Sequence, residues 1–136
     1  MAAIACDPVG IFLGASGVVL NRITEPEIAE AMACKEGLAL AADLLLTSLR
    51  LASDCVNAIR SMEGRNMSPY GQIVKEIQIR AHDFLLVDFV HENRNSNVDA
   101  HTLARSLISF DMYVWFLESS FDICNSVDQV HQQRVW

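Results

Sequence analysis

The fold is decided by TEPEIAEAMACKEGLALAADLLL, residues 24–46, and by LRLASDC, residues 49–55. In the first stretch Thr24 and Glu27 have the spacing of a capping box, and Pro26 falls in the first helical turn. Apolar residues then recur at helical spacing. The first stretch therefore predicts the longest helix of the chain, and the second predicts a buried strand.

The segments on either side of this pair predict the rest of an α/β domain. Upstream, AAIACD and IFLGASGVVL predict two strands, and the DPVG between them predicts a turn, so the two strands form a β-hairpin. Downstream, the pattern predicts a helix, a second helix, a strand and a last helix, at residues 54–63, 66–84, 85–92 and 98–108. This order predicts a mixed sheet with helices on its faces.

Composition indicates one globular domain and limits the binding partners. The chain has 136 residues, of which 51% are hydrophobic, and this suits a single core. Its net charge is −7, and its ten basic residues are scattered without a basic run. Because phosphate binding normally needs clustered Lys and Arg, the sequence by itself does not predict a nucleic-acid surface, although folding could still assemble a basic patch.

Cysteine usage and the N-terminal sequence indicate an intracellular protein, in the nucleus or cytoplasm. MAAIACDPVG lacks the basic and apolar regions of a signal peptide, and no apolar run is long enough to cross a bilayer. The four cysteines, Cys6, Cys34, Cys55 and Cys124, form no CxxC and no zinc spacing with His. We therefore expect reduced thiols and no membrane contact.

Two carboxylates are candidates for holding a cation. Asp54 stands at the carboxyl end of the predicted strand, where ligands of open α/β sheets gather, and Glu30 lies on an alanine-rich face of the long helix. Asp54 could equally be the N-cap of the next helix, and Glu30 a solvated flank residue. Together they suit Mg²⁺, which binds carboxylate oxygens, and two such ions could promote phosphodiester cleavage.

The stretch SNVDAHTLARS, residues 96–106, offers two further candidates, Asp99 and His101. Residues two apart on a helix point about 200° apart, so these two cannot share a role. They flank the apolar face on opposite sides. Helical periodicity therefore leaves the choice between them open.

Five segments resemble the plant ribonuclease H-like proteins, whose RNase H type-1 domain is associated with reverse transcriptases. In chain order they are GIFLGASGVVL, EIAEAMACKEGLALA, LRLASDC, SPYGQIVKEI and FVHENRNSNVDAHTLARS. They occur in the family's order and spacing and extend over the chain to about Leu117. The resemblance implies an RNase H-like mixed sheet for residues 1–117, and we expect residues 118–136 to form a loose tail.

The resemblance also implies a site of four carboxylates that hold two Mg²⁺ or Mn²⁺ ions. Glu30 matches the carboxylate on the long helix, and Asp54 matches the one at the strand end. His101 falls where the fourth carboxylate is expected, so by resemblance the catalytic Asp is replaced by His, which could bind Mn²⁺ or Zn²⁺ or be a structural or exposed residue. The first carboxylate belongs to a strand that precedes the hairpin, and this strand is missing here. His91 and Asn97 would face the substrate, unless His91 is merely a solvated strand end and Asn97 a helix cap.

The implied activity is hydrolysis of the RNA strand of an RNA–DNA hybrid, impaired by the loss of two carboxylates. The alternative is a non-catalytic domain of retrotransposon origin that binds nucleic acid or a protein. In the family, the missing strand lies between the hairpin and the parallel strands. Either the hairpin slides over to pair with residues 49–55, or the inner edges stay exposed and could recruit a partner strand.

Overall fold

The fold is described from a computed structural model, for residues 1–19, 22, 25–64, 70–97, 114–116 and 133–135. Six strands form one mixed sheet: β1 Ala2–Cys6, β2 Phe12–Gly17, β3 Ser48–Ser53, β4 Leu86–His91, β5 Val114–Phe116 and β6 Gln133–Val135. Three α-helices and a short 3₁₀ helix accompany them: α1 Pro26–Asp43, α2 Val56–Met62, α3 Gly71–Ala81 and the 3₁₀ helix Arg94–Asn97. The predicted last helix lies outside the described residues.

The N-terminal hairpin forms as predicted. β1 and β2 pair in antiparallel fashion, and the turn between them is organised by Asp7. Its carboxylate Oδ1 accepts the backbone N–H groups of Val9 at 3.0 Å and Ile11 at 2.7 Å. Gly10 completes the turn at a φ of 91°, a backbone conformation that favours glycine.

The centre of the sheet shows neither of the two arrangements expected in the absence of the family's first strand. The strand order is β4-β3-β6-β1-β2-β5, so the hairpin does not slide over to β3. Instead β6 lies between them, parallel to β3 and antiparallel to β1. The edges of β1 and β3 that were expected to stay exposed are therefore paired with β6 along part of their length. Residues 133–135 of the expected loose tail belong to the sheet, while the boundary at residue 117 stays a prediction.

Helix α1 provides most of the core against the sheet. It begins at Pro26, near the predicted start. Its buried residues Cys34, Leu38 and Ala41 pack in one cluster with Leu49 and other strand residues. The predicted capping box is wrong: Glu25 is the N-cap and makes no side-chain hydrogen bond to the helix. The carboxylate of Glu27 is instead bonded to side chains of neighbouring elements.

The cysteines differ in part from the prediction of reduced thiols. Cys34 and Cys55 are free, as predicted. Cys6 is disulfide-bonded, so the prediction is wrong for this residue. Its partner lies outside the described residues, as does Cys124. No helix in the described part of the chain is long and apolar enough to span a membrane.

Candidate catalytic carboxylate site

The carboxylate of Glu30 lies at the carboxyl end of β3. The hydroxyl of Ser53, the last residue of β3, donates a hydrogen bond of 3.0 Å to Glu30 Oε2. Ser53 is only 2% exposed, and Glu30 is half-buried. Glu30 is therefore not a solvated flank residue, because its charge is oriented by a buried donor on the neighbouring strand.

Asp54 follows β3 directly, one residue beyond the donor to Glu30. It is not the N-cap of α2, because that position belongs to Cys55. The backbone N–H of Cys55 donates to Ser53 Oγ at 3.1 Å, so the same hydroxyl orients Glu30 and holds the start of α2. Ser53 thus connects the helix that carries Glu30 to the strand end that carries Asp54.

A second group of hydrogen bonds fixes the start of α1 beside this strand end. Glu27 Oε1 accepts the side-chain amide of Asn57 at 2.7 Å, and Glu27 Oε2 accepts the hydroxyl of Tyr70 at 3.4 Å. Burial raises the pKa of Tyr70, a hydrogen bond with Ser61 opposes this, and the negative charge of Glu27 adds to the increase. The phenol therefore stays protonated and can donate to Glu27.

The two free thiols near the site are protonated rather than reactive. Burial raises the pKa of Cys34, and the negative charge of Glu30 raises it further. Burial also raises the pKa of Cys55, although backbone hydrogen bonds at the start of α2 partly oppose it. Since a thiolate is the form that attacks a substrate or binds a metal, neither residue is a candidate for these roles near neutral pH.

His91 is placed beside the same strand end by the parallel pairing of β3 with β4. It is the register partner of Ser53, it ends β4, and it is exposed. The next residue, Glu92, donates its backbone N–H to the carbonyl oxygen of Ser53 at 3.0 Å. Glu30, Asp54 and His91 thus come from three elements that meet at one edge of the sheet.

The remaining predicted site residues are described only in part or not at all. Asn97 is the last residue of the 3₁₀ helix that follows β4, and its side chain is outside the description. His101 lies outside the described residues. The roles of Asn97 and His101 therefore stay predictions.

The described residues of this edge include two acidic side chains that could hold a divalent cation. Glu30 and Asp54 could offer hard carboxylate oxygens, and Mg²⁺ needs only one or two of these when water and substrate phosphate complete its shell. Within the described residues, no group of three or more His, Cys, Asp and Glu could hold a metal ion. The strand beside β3, β6, contributes Gln133, Arg134 and Val135, none of which is acidic.

A comparison of the sequence with family models agrees with the fold described above. A family model described as "Reverse transcriptase-like" matches residues 1–107. The chain belongs to the reverse transcriptase-like family. This family is RNase H-like, so the fold implied by the resemblance is confirmed. The plant origin stays a prediction.

A solved structure supports the same fold for this RNase H-like domain. It is the N-terminal RNase H domain of Rv2228c from Mycobacterium tuberculosis, solved as a fusion with maltose-binding protein. The two structures align with a TM-score of 0.62 over 76% of this chain and 93% of the other, at 19% sequence identity. At this identity the likeness shows the fold alone. No curated protein matches the chain.

Two features of the RNase H-like site were not predicted from the sequence. Ser53 is not singled out in the sequence analysis, although its position at a strand end before an acidic residue is a usable signal for a hydrogen-bond donor. The contact of Glu27 with Asn57 and Tyr70 joins residues that are distant in sequence. Only the packing of α1 against α2 and the start of α3 brings them together.

Proposed function

We propose that this RNase H-like domain binds RNA–DNA hybrids and cleaves the RNA strand slowly with one divalent cation, Mg²⁺ or Mn²⁺. The observation that carries the proposal is the hydrogen bond of Ser53 to Glu30, which holds that carboxylate at the strand end that Asp54 follows. Glu30 and Asp54 would hold the cation. When bound, such a cation activates water and stabilises the leaving oxygen of a phosphodiester.

The other roles assigned here follow from position and from the resemblance. His91 is exposed and is the register partner of Ser53, which supports a role in contacting substrate at this edge. Asn97, shortly after it in sequence, would contact a phosphate or ribose. With a net charge of −7, affinity for nucleic acid should be low, because the protein and the phosphates repel each other. We further propose that the protein has a plant, retrotransposon-derived origin and is located in the nucleus or cytoplasm.

The test is cleavage of a hybrid whose RNA strand is fluorescently labelled, in Mg²⁺ and separately in Mn²⁺. Asp54→Asn and Glu30→Gln should each abolish cleavage. The matched control is Asp43→Asn, which removes an exposed carboxylate at the end of α1 and should leave cleavage unchanged. Cleavage that survives both site variants would overturn the proposed role of these carboxylates.

His101 provides a gain-of-function test of the fourth position. If it occupies the place of a catalytic carboxylate, His101→Asp should increase cleavage by at least about ten-fold, since a further carboxylate would strengthen cation binding. His82→Asp is the control, because His82 is exposed at the end of α3 and the substitution is chemically identical. If both substitutions change the cleavage rate equally, His101 does not occupy the position of a catalytic carboxylate.

A non-catalytic binding domain is the second candidate, and the composition of β6 favours it. The central strand brings no acidic residue to the site, so among the described residues Glu30 and Asp54 are the carboxylates proposed to hold the cation. Binding of a labelled hybrid without cleavage in either metal would support this candidate. Matched RNA and DNA duplexes then establish whether the hybrid is preferred.

A further inference from the structure

We propose that the end of the sheet opposite the carboxylate site binds a basic, apolar segment of a partner protein. This end, the loop end, consists of the hairpin turn 7–11, the α1–β3 connection 44–47 and the α3–β4 connection 82–85. Exposed apolar side chains, a strained backbone and an excess of negative charge coincide there. The interaction is separate from the proposed nuclease function and does not depend on it.

The directions of the strands bring the three connections of the loop end together. β3 and β4 are parallel, so the connections that precede them lie side by side, and the backbone N–H of Leu85 donates to the carbonyl oxygen of Thr47 at 2.8 Å. β1 is antiparallel to β6, which is parallel to β3, so the turn after β1 lies at the same end. Ser53 and Asp54 lie at the other end of β3. A molecule bound to the loop end therefore leaves the carboxylate site open.

Most of the large apolar side chains that are exposed among the described residues lie at the loop end. Leu45 and Leu85 are each 86% exposed, Val9 is 80% exposed, and Ile11 and Leu86 are exposed as well. A groove of about 490 Å³ opens beside Leu85 and Leu86, where α3 ends and β4 begins. Its apolar lining includes Ala81, Phe84, Val87 and Phe89. Exposed apolar surface next to a groove is typical of an interaction site.

The backbone of Leu45 is a second sign that this side chain has a partner. Helix α1 ends with hydrogen bonds of 3.0 Å from Leu46 N–H to Ala41 O and from Leu45 N–H to Ala42 O. This helix ending holds Leu45 at a φ of 57°, in the left-handed region where glycine is normal and a leucine costs free energy. The exposed side chain gains no packing that would offset the cost. A local rule broken without a gain in the fold is expected at functional positions.

The loop end is also negatively charged. Asp43 ends α1 and Asp83 follows the C-cap of α3; both are exposed, and neither forms a salt bridge with another described residue. The C-terminal carbonyl groups of both helices carry partial negative charge at this end, so an aspartate there is unfavourable without a cation. Lys35 and, to a smaller extent, Arg80 lower the pKa of Glu76, so the charge of Arg80 acts in part on that carboxylate.

Apolar surface and negative charge together select a partner that is apolar and basic. A second copy of this chain would bring the same aspartates and a further net charge of −7, so two copies repel each other. A basic amphipathic helix supplies both groups that the loop end lacks. Its apolar side chains would cover Leu45 and Leu85 and enter the groove, and its lysines or arginines would face Asp43, Asp83 and the helix carbonyls.

The probe is a fluorescein-labelled amphipathic peptide of leucine and lysine, about four helical turns long, titrated with the full chain and followed by fluorescence anisotropy. Leu45→Gly removes the side chain and relaxes the left-handed backbone. It should weaken peptide binding roughly ten-fold and at the same time raise the urea midpoint of unfolding. Leu85→Ser should also weaken binding. The matched control is Val56→Ser, in an exposed valine at the start of α2, which should leave binding unchanged.

The charge of the loop end is tested separately. Asp43→Asn and Asp83→Asn should each weaken peptide binding by roughly three-fold and make it less sensitive to salt. Glu25→Gln is the control, because it removes one exposed carboxylate at the other end of α1 and changes the net charge equally. An equal loss in Glu25→Gln would show that the peptide responds only to net charge and would overturn the assignment to the loop end.

Weaker binding together with higher stability in Leu45→Gly supports the proposal, because a role in folding alone cannot produce both. Equal affinity in wild type, Leu45→Gly and Leu85→Ser overturns it, as does equal binding of a peptide with glutamate in place of lysine. Sedimentation of the protein without peptide tests the other occupant: a dimer that Leu45→Gly dissociates would identify a second copy and overturn the assignment to a partner. None of these readouts requires nuclease activity.

Discussion

Ser53 and Glu30 are 23 residues apart in sequence and are joined by a hydrogen bond of 3.0 Å from Ser53 Oγ to Glu30 Oε2. The same hydroxyl accepts the backbone N–H of Cys55 at 3.1 Å. One side chain at the end of β3 thus sets the position of a carboxylate on α1 and the first turn of α2. The proposed cation site and the stability of the domain therefore share this residue.

The first prediction is that Ser53→Ala destabilises the domain by ~1–3 kcal/mol. The substitution removes the donor to the half-buried Glu30 and the acceptor for the start of α2, so each of these groups loses one hydrogen bond. The free energy of unfolding from urea titration measures the effect. The same variant should weaken Mn²⁺ binding, followed by isothermal titration calorimetry, if Glu30 helps to hold the ion.

Ser16→Ala is the matched control for this experiment. Ser16 is a buried strand serine at 0% exposure, but its hydroxyl has no hydrogen-bond partner among the described residues. Its removal should therefore be neutral or slightly stabilising. Equal losses in Ser16→Ala and Ser53→Ala would show that the bond to Glu30 contributes nothing.

The second prediction is that stability falls with rising pH above about 9 because of Cys34. The pKa of Cys34 is raised above its ordinary value of 9.0 by burial and by the charge of Glu30. In the unfolded chain this thiol ionises near its ordinary value while the folded chain keeps it protonated. The unfolded state thus binds fewer protons, and the free energy of unfolding decreases by up to ~1.4 kcal/mol per pH unit.

Urea titrations at pH 8 and pH 10 measure this slope for wild type and Cys34→Ala. The variant removes the thiol, so its stability should decline less between the two pH values. Cys55→Ala is the comparison, because Cys55 is half-buried whereas Cys34 is fully buried. Parallel pH dependence in wild type and Cys34→Ala would rule out Cys34 as the source.

An element of this fold can be predicted from the sequence when the residues that determine it lie close together along the chain. The hairpin was predicted because Asp7, the following proline and Gly10 specify the turn within four residues. The central strand was not predicted, because Gln133–Val135 is short and polar and acquires strand structure only from two distant partners. The capping box failed for a related reason, since Glu27 reaches Asn57 and Tyr70 on other elements instead of its own helix end.

The sequence predicts the acidic residues of the site but not the side chains that hydrogen-bond to them. The end of a buried strand at Asp54 and the alanine-rich surroundings of Glu30 pointed to carboxylates with a special environment. Sequence periodicity could not separate an N-cap from a ligand position at Asp54. The structure excludes the N-cap because α2 begins one residue later, after Cys55.

The third prediction concerns Tyr70, whose ring should matter more for stability than its hydroxyl. Tyr70 is 4% exposed and packs with Ala31 and Val74, whereas its bond to Glu27 is long at 3.4 Å. Tyr70→Phe should therefore cost less than ~1 kcal/mol, and Tyr70→Ala should cost ~3–5 kcal/mol because it leaves a cavity. Urea unfolding compares the two, and a Phe variant as unstable as the Ala variant would show that the hydroxyl dominates.

The fourth prediction is that Cys6 resists alkylation where the other described cysteines react. Cys6 is disulfide-bonded, and Cys34 and Cys55 are free. In denaturant without reductant, iodoacetamide should therefore label Cys34 and Cys55 but not Cys6, as read from peptide masses. Prior reduction is the control and should make Cys6 reactive.

Reduction should also lower the free energy of unfolding by ~2–4 kcal/mol, because the released chain gains conformational freedom when unfolded. Labelling of Cys6 before reduction would contradict the disulfide and restore the expectation of a fully reduced protein.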